Sequence, residues 1–153
     1  MKRFFVAILS LVMLCSVMFC TPVSAASFTE SNTVVEYLEN GDYIRTTISW
    51  VENSTRSTKT AEKTKEHVSA NGNILWTVTV RGTFYYNGST SSCTAVSHST
   101  TAPSSYWTIK SASSSKSGNK ATATATATLK VGSTTSDETM TVTLTCSANG
   151  TLS

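Results

Sequence analysis

The chain has 153 residues, with 12 Lys and Arg against 9 Asp and Glu for a formal charge of +3. It holds no basic run with interleaved aromatics, which argues against a nucleic-acid surface. Residues 1–25 have the pattern of an export leader. Lys2 and Arg3 form a positive start, Phe4–Cys20 is apolar, and Val23-Ser24-Ala25 offers small residues for cleavage before Ala26. Bulky Phe19 before Cys20 and Leu14 before Cys15 do not suit lipid attachment. Without Lys2 and Arg3 ten basic residues face nine acidic ones, for a charge of +1. The expectation is a protein secreted to the extracellular space, with no membrane contact after cleavage. Residues 26–153 suffice for a single domain.

Of those 128 residues, 49 are Ser or Thr, and Pro103 is the sole proline. No apolar face repeats at helical spacing, whereas alternation at period two is strong, so the domain is all-β. The first element is a hairpin about Asn40-Gly41, a dipeptide suited to a two-residue turn. That loop length predicts Tyr37 opposite Ile44, Glu36 opposite Arg45 and Val35 opposite Thr46. Val35, Tyr37, Ile44, Ile48 and Trp50 then share one face. Thr58–Ser69 follows as an edge strand whose lysines deter edge-to-edge pairing. Its hairpin about Asn71-Gly72 admits two registers, one setting His67 beside Trp76 and the other Val68 beside Trp76. A third hairpin, about Asn87-Gly88, predicts Phe84 opposite Ser91, Gly82 opposite Cys93 and Val80 opposite Ala95.

Three strands complete the chain: Ser105–Ala112, Lys120–Val131 and Glu138–Ser147. In the middle one Ala121, Ala123, Ala125, Ala127, Leu129 and Val131 face in and threonines face out. In the last, Met140, Val142, Leu144 and Cys146 alternate with Thr139–Thr145. The connections 111–119 and 132–137 read as Ser/Gly-rich loops. Seven or eight short antiparallel strands predict an immunoglobulin-like β-sandwich, with a small β-barrel as the alternative. Cys93 and Cys146, 53 positions apart, both fall on inward faces. With Gly82 clearing space beside Cys93, the pair is expected to form a disulfide within the core.

Catalytic motifs are scarce. His67 and His98 lack zinc-ligand spacing and read as surface histidines. A Ser-His-Asp set would require His98 with Asp42 or Asp137, and no serine lies in a nucleophile-elbow motif. Glu36, Glu39 and Glu62 read as solvent-facing strand charges rather than a glycosidase pair. No catalytic, metal or cofactor residue is assigned. Tyr43, Tyr85 and Tyr106 fall outside the expected core and are candidates to stack on a sugar or peptide. The segments VRGTFYYNGSTSSC (Val80–Cys93) and VTLTCSANGTLS (Val142–Ser153) resemble those of small secreted proteins of Gram-positive bacteria with no assigned function. The resemblance implies a secreted sandwich and carries no functional residue. The reading is a non-enzymatic binding or surface-interaction module with a protein or glycan partner. A small hydrolase, or a released antimicrobial or toxin-like protein, is the alternative.

Overall fold

The computed structural model describes residues 29–51 and 57–153; the leader and its cleavage site lie outside them. Eight strands form two antiparallel sheets. The larger holds β1 (Thr29–Tyr37), β2 (Tyr43–Val51), β3 (Thr58–Val68), β4 (Ile74–Tyr86) and β5 (Ser91–Thr101). The smaller holds β6 (Trp107–Ser117), β7 (Lys120–Val131) and β8 (Thr134–Thr145). The strand order, which alternation leaves open, follows the chain in each sheet, and the sheets do not close into a barrel. The β1–β2, β3–β4 and β7–β8 turns and the β5–β6 connection share one end, here the upper end. The β4–β5 and β6–β7 turns lie at the lower end.

The turns differ from the two-residue expectation, and at two of the three hairpins the registers differ with them. At Asn40-Gly41, Leu38 N donates to Asp42 O and Gly41 N to Leu38 O. Gly41 alone takes a positive φ, +87°. This is a three-residue loop ending in a left-handed glycine. Tyr37 therefore pairs with Tyr43 and Glu36 with Ile44. A one-residue slip reverses every facing: Val34, not Val35, shares a side with Ile44 and Ile48. Arg45 bonds Glu66 on β3 at 2.5 Å rather than Glu36. At Asn71-Gly72 the register is the one that sets His67 beside Trp76, with an irregularity just beyond, at Val68. At Asn87-Gly88 the loop spans four residues and a bulge follows, so Phe84 pairs with Cys93 and Gly82 with Val96.

Three other expectations are corrected. β3 is the central strand of the larger sheet rather than an edge. Segments 111–117 and 134–137 are strand, because tight Gly118-Asn119 and Gly132-Ser133 turns bring serines and threonines into ladders. Val131, at the upper end of β7, is on the inner side but exposed rather than part of the core.

The core joins Trp76, Val78, Val80 and Phe84 of β4 to the alanine stripe of β7 and to Met140, Val142 and Leu144 of β8. Small alanines over bulky β4 side chains keep the sheets close. Cys93 and Cys146 are buried as alternation predicts, but both are free thiols, so the expected disulfide is absent. Cys93 Sγ donates to Ala95 O at 3.2 Å, and Cys146 Sγ lies 3.5 Å from Ser147 O. The space above Gly82 is filled by Phe84, whose ring atoms Cε2 and Cζ lie 2.7 Å from where a Cβ would stand. Past Cys146 the chain reverses through Ala148–Gly150, and Leu152 bridges Cys146. Lys59 Nζ holds this tail by donating to Gly150 O at 2.9 Å.

Candidate functional site

At the upper end, a cleft of about 650 Å³ opens between the sheets. Its floor is built around His67. The β3 register places this ring inward between Ile44 and Trp76, and only 5% of it is exposed. His67 Nδ1 lies 2.7 Å from Glu138 Oε2 on β8, and Nε2 lies 3.2 Å from Asp42 Oδ2. Asp42 is positioned by two turns: Asn40 Nδ2 of the β1–β2 loop donates to its Oδ2 at 3.0 Å, and Ala70 N of the β3–β4 turn to its Oδ1 at 3.0 Å. Trp76 Nε1 donates to the same Glu138 oxygen at 3.0 Å. Trp107, opening β6, meets His67 edge-on at 5.5 Å and stacks with Trp76 at 6.1 Å.

The electrostatics follow from this geometry. Ionised carboxylates only accept hydrogen bonds, so an imidazole between two of them is favoured with both nitrogens protonated. The hydrogen bond to Glu138 raises the His67 pKa above its ordinary 6.5 against the opposing effect of burial, aided by the charges of Glu138 and Asp42. Burial pushes the Glu138 carboxyl up, yet the hydrogen bonds from His67 and Trp76 and the His67 charge hold it below its ordinary value. At the cleft rim Asp137 is lowered chiefly by its hydrogen bond from Lys110, at 2.5 Å, and also by that from Thr128.

With both nitrogens committed, His67 is a clamp joining a loop, β3 and β8. The rest of the cleft is a recognition surface. Tyr106 and Trp107 form an aromatic side, Leu129 and Val131 an apolar one, and Ser104 and Ser136 supply hydroxyls. A second, more open groove of about 850 Å³ beyond Tyr106 shares that ring as its wall. Among the described residues no group of three His, Cys, Asp or Glu could hold a metal ion.

Of the three tyrosines singled out from the sequence, the structure brings only Tyr106 to this cleft, with 60% of its surface exposed. Tyr43 lies on the outer face and packs on Tyr37 at 5.7 Å. Tyr85 is exposed near the opposite end of β4. His98 is a surface residue as expected, bonded to Ser114 Oγ at 3.0 Å. His67 is the correction: it is buried, and with Asp42, Glu138 and Trp107 it was not legible as a site. The available signal was that His67 shares its parity with Ala61 and, in one register, faces Trp76. Its two carboxylate partners lie 25 and 71 positions away, so spacing alone could not reveal them. No family model, curated protein or solved structure matches the chain.

Proposed function

We propose that this is a secreted, non-enzymatic binding module that takes a glycan in the upper cleft. The observation that carries this reading is the exposed Tyr106 ring beside Trp107, flanked by hydroxyl and carboxylate groups above a floor held rigid by the His67 clamp. A sugar ring has an apolar face that stacks on an aromatic and a rim of hydroxyls that needs both donors and acceptors. The hydrolase alternative needs a base with a free nitrogen or oxygen beside a nucleophile, and His67 has neither ring nitrogen to spare.

The test is a glycan array followed by titration of a retained oligosaccharide, read by tryptophan fluorescence. Tyr106→Ala should weaken binding by about tenfold, in line with loss of roughly 1.4 kcal/mol of stacking. Tyr85→Ala, at the far end, should leave it unchanged. Equal loss in both variants, or turnover of the bound sugar, would refute the reading.

A further inference from the structure

The two sheets differ in width by two strands, and the excess lies on one side. β6 lies against β5, closing that flank, while β8 lies over β3 and β4. Among the described residues, no Cα of β1 or β2 comes within 8 Å of the smaller sheet. These strands therefore form a wing whose inner face carries Val34 and Glu36 of β1 and Ile44 and Ile48 of β2. β1 is the more exposed of the two. Every described side chain from Asn32 to Tyr37 is exposed, with Val34 at 58% and Tyr37 at 78%.

Facing the wing is the outer edge of β8. The tail uses Thr145, whose N–H and C=O both bond Ser153. β7 pairs with the inner edge of β8 along its whole length, and no described strand pairs with the outer edge from Thr134 to Leu144. Lys63 and Lys65 of β3 lie between wing and edge, in register with Ile48 and Thr46. Neither has an ion-pair or hydrogen-bond partner among the described residues. Burial, and then the charge of Lys65, pushes the Lys63 amine below its ordinary value.

We propose that two copies of the chain mate through these open flanks, β1 of each adding antiparallel to β8 of the other, so that the two wings face one another. The widths support a second copy as occupant. Five strands of one copy continued by three of the other make a layer of eight, and a twofold axis along the strands generates an identical second layer. Each two-strand overhang fills the space left in the other above the C-terminal tail, whose Ser153 already lies beside Val34 and buried Ile48. The polarity also fits, because the alternating meander runs β1 opposite to β8, and this axis preserves strand direction. The nine residues of β1 fit within the eleven open residues of β8. Glu36, on the wing's inner face, brings a carboxylate toward the partner's lysines. An isologous contact of this kind closes at two copies and consumes both β1 and β8 edges.

The test is sedimentation of the purified chain, combined with a disulfide trap. Thr33 lies on the outer face of β1 and Thr141 on the outer face of β8, in strands that do not touch within one copy. The Thr33→Cys/Thr141→Cys variant should oxidise to a covalent dimer, seen on a non-reducing gel at twice the monomer mass. Val34→Lys sets a lysine against the partner's wing and should raise the dimer dissociation constant by about tenfold or more. Because Val34 is already exposed, its circular dichroism should stay that of the parent. A chain that is monomeric up to about 1 mM overturns the proposal. So does a dimer that fails to trap, or one that is indifferent to Val34→Lys.

Discussion

Replacing Gly82 with alanine is a small change with a determinate outcome. The glycine is fully enclosed in a strand, and an added Cβ would stand 2.7 Å from two Phe84 ring atoms and 3.0 Å from Ala121 Cβ. Ordinary contact begins near 3.4 Å, so the ring must retreat by about 0.7 Å. Phe84 is 0% exposed and has nowhere empty to go. Overpacking of this kind costs about 1–3 kcal/mol. Removing glycine's backbone freedom from a strand returns about 0.5–1 kcal/mol, so the middle of the two ranges leaves a net loss of about 1 kcal/mol. Urea unfolding should show a midpoint lower by roughly 0.5–1 M with an unchanged slope. In a Phe84→Leu background the same substitution should cost about 1 kcal/mol less, because the atoms it meets are gone. An unchanged or higher midpoint, or equal losses in both backgrounds, would refute the account of what fills the space above Gly82.

Stability should also depend on pH through the His67 clamp. His67 has a raised pKa, so its contribution is complete below its ordinary 6.5 and is lost as pH rises through the folded value. Glu138 has a lowered one, so its contribution is complete above its ordinary 4.5 and is lost as pH falls through the folded value. Melting temperature should therefore peak between about pH 4.5 and 6.5. His67→Gln should flatten the alkaline limb and lower stability by about 1–3 kcal/mol, less than for a wholly buried pair because Glu138 is partly solvated. Reductant should leave the melting temperature unchanged, since both core cysteines are thiols. A bridge across so long a loop would contribute about 4 kcal/mol, and its loss would be plain in the melt.

Alternation located the strands because it reports which side chains meet water, and it named the buried residues one by one in β8 and in β7 from Ala121 to Ala127, failing only at the upper end of β7. It says nothing about how many residues a turn consumes. Asn40-Gly41 belongs to a three-residue loop, and that single extra residue exchanged the faces of Val34 and Val35 and redirected Arg45 to Glu66. Serine-rich β6 was illegible beyond Ala112 for a different reason. Its ladder depends on backbone groups and a tight turn, which leave no apolar pattern. The lysines of β3 misled because solvated charge suggests an edge, whereas here two of them lie beside an uncovered flank. Tyr106 could be picked out as an exposed aromatic, but the clamp could not be, because its three members meet only when a loop, a central strand and the other sheet come together.

The outward threonines form a row of hydroxyl fasteners. Thr122–Thr143, Thr124–Thr141 and Thr126–Thr139 join β7 to β8 at 3.1, 3.0 and 2.8 Å. Thr60–Thr83, Thr64–Thr79 and Thr77–Thr101 link the strands of the larger sheet in the same way. Ion pairs at these positions would weaken in brine and change with acidity. Hydroxyl pairs do neither, and each threonine also supplies a branched stem suited to a pleated surface. The threonine rows are thus contacts indifferent to the ionic make-up of the surroundings, and sensitivity to salt and acidity is left to the Arg45–Glu66, Arg81–Glu62 and Lys110–Asp137 pairs and to the His67 clamp.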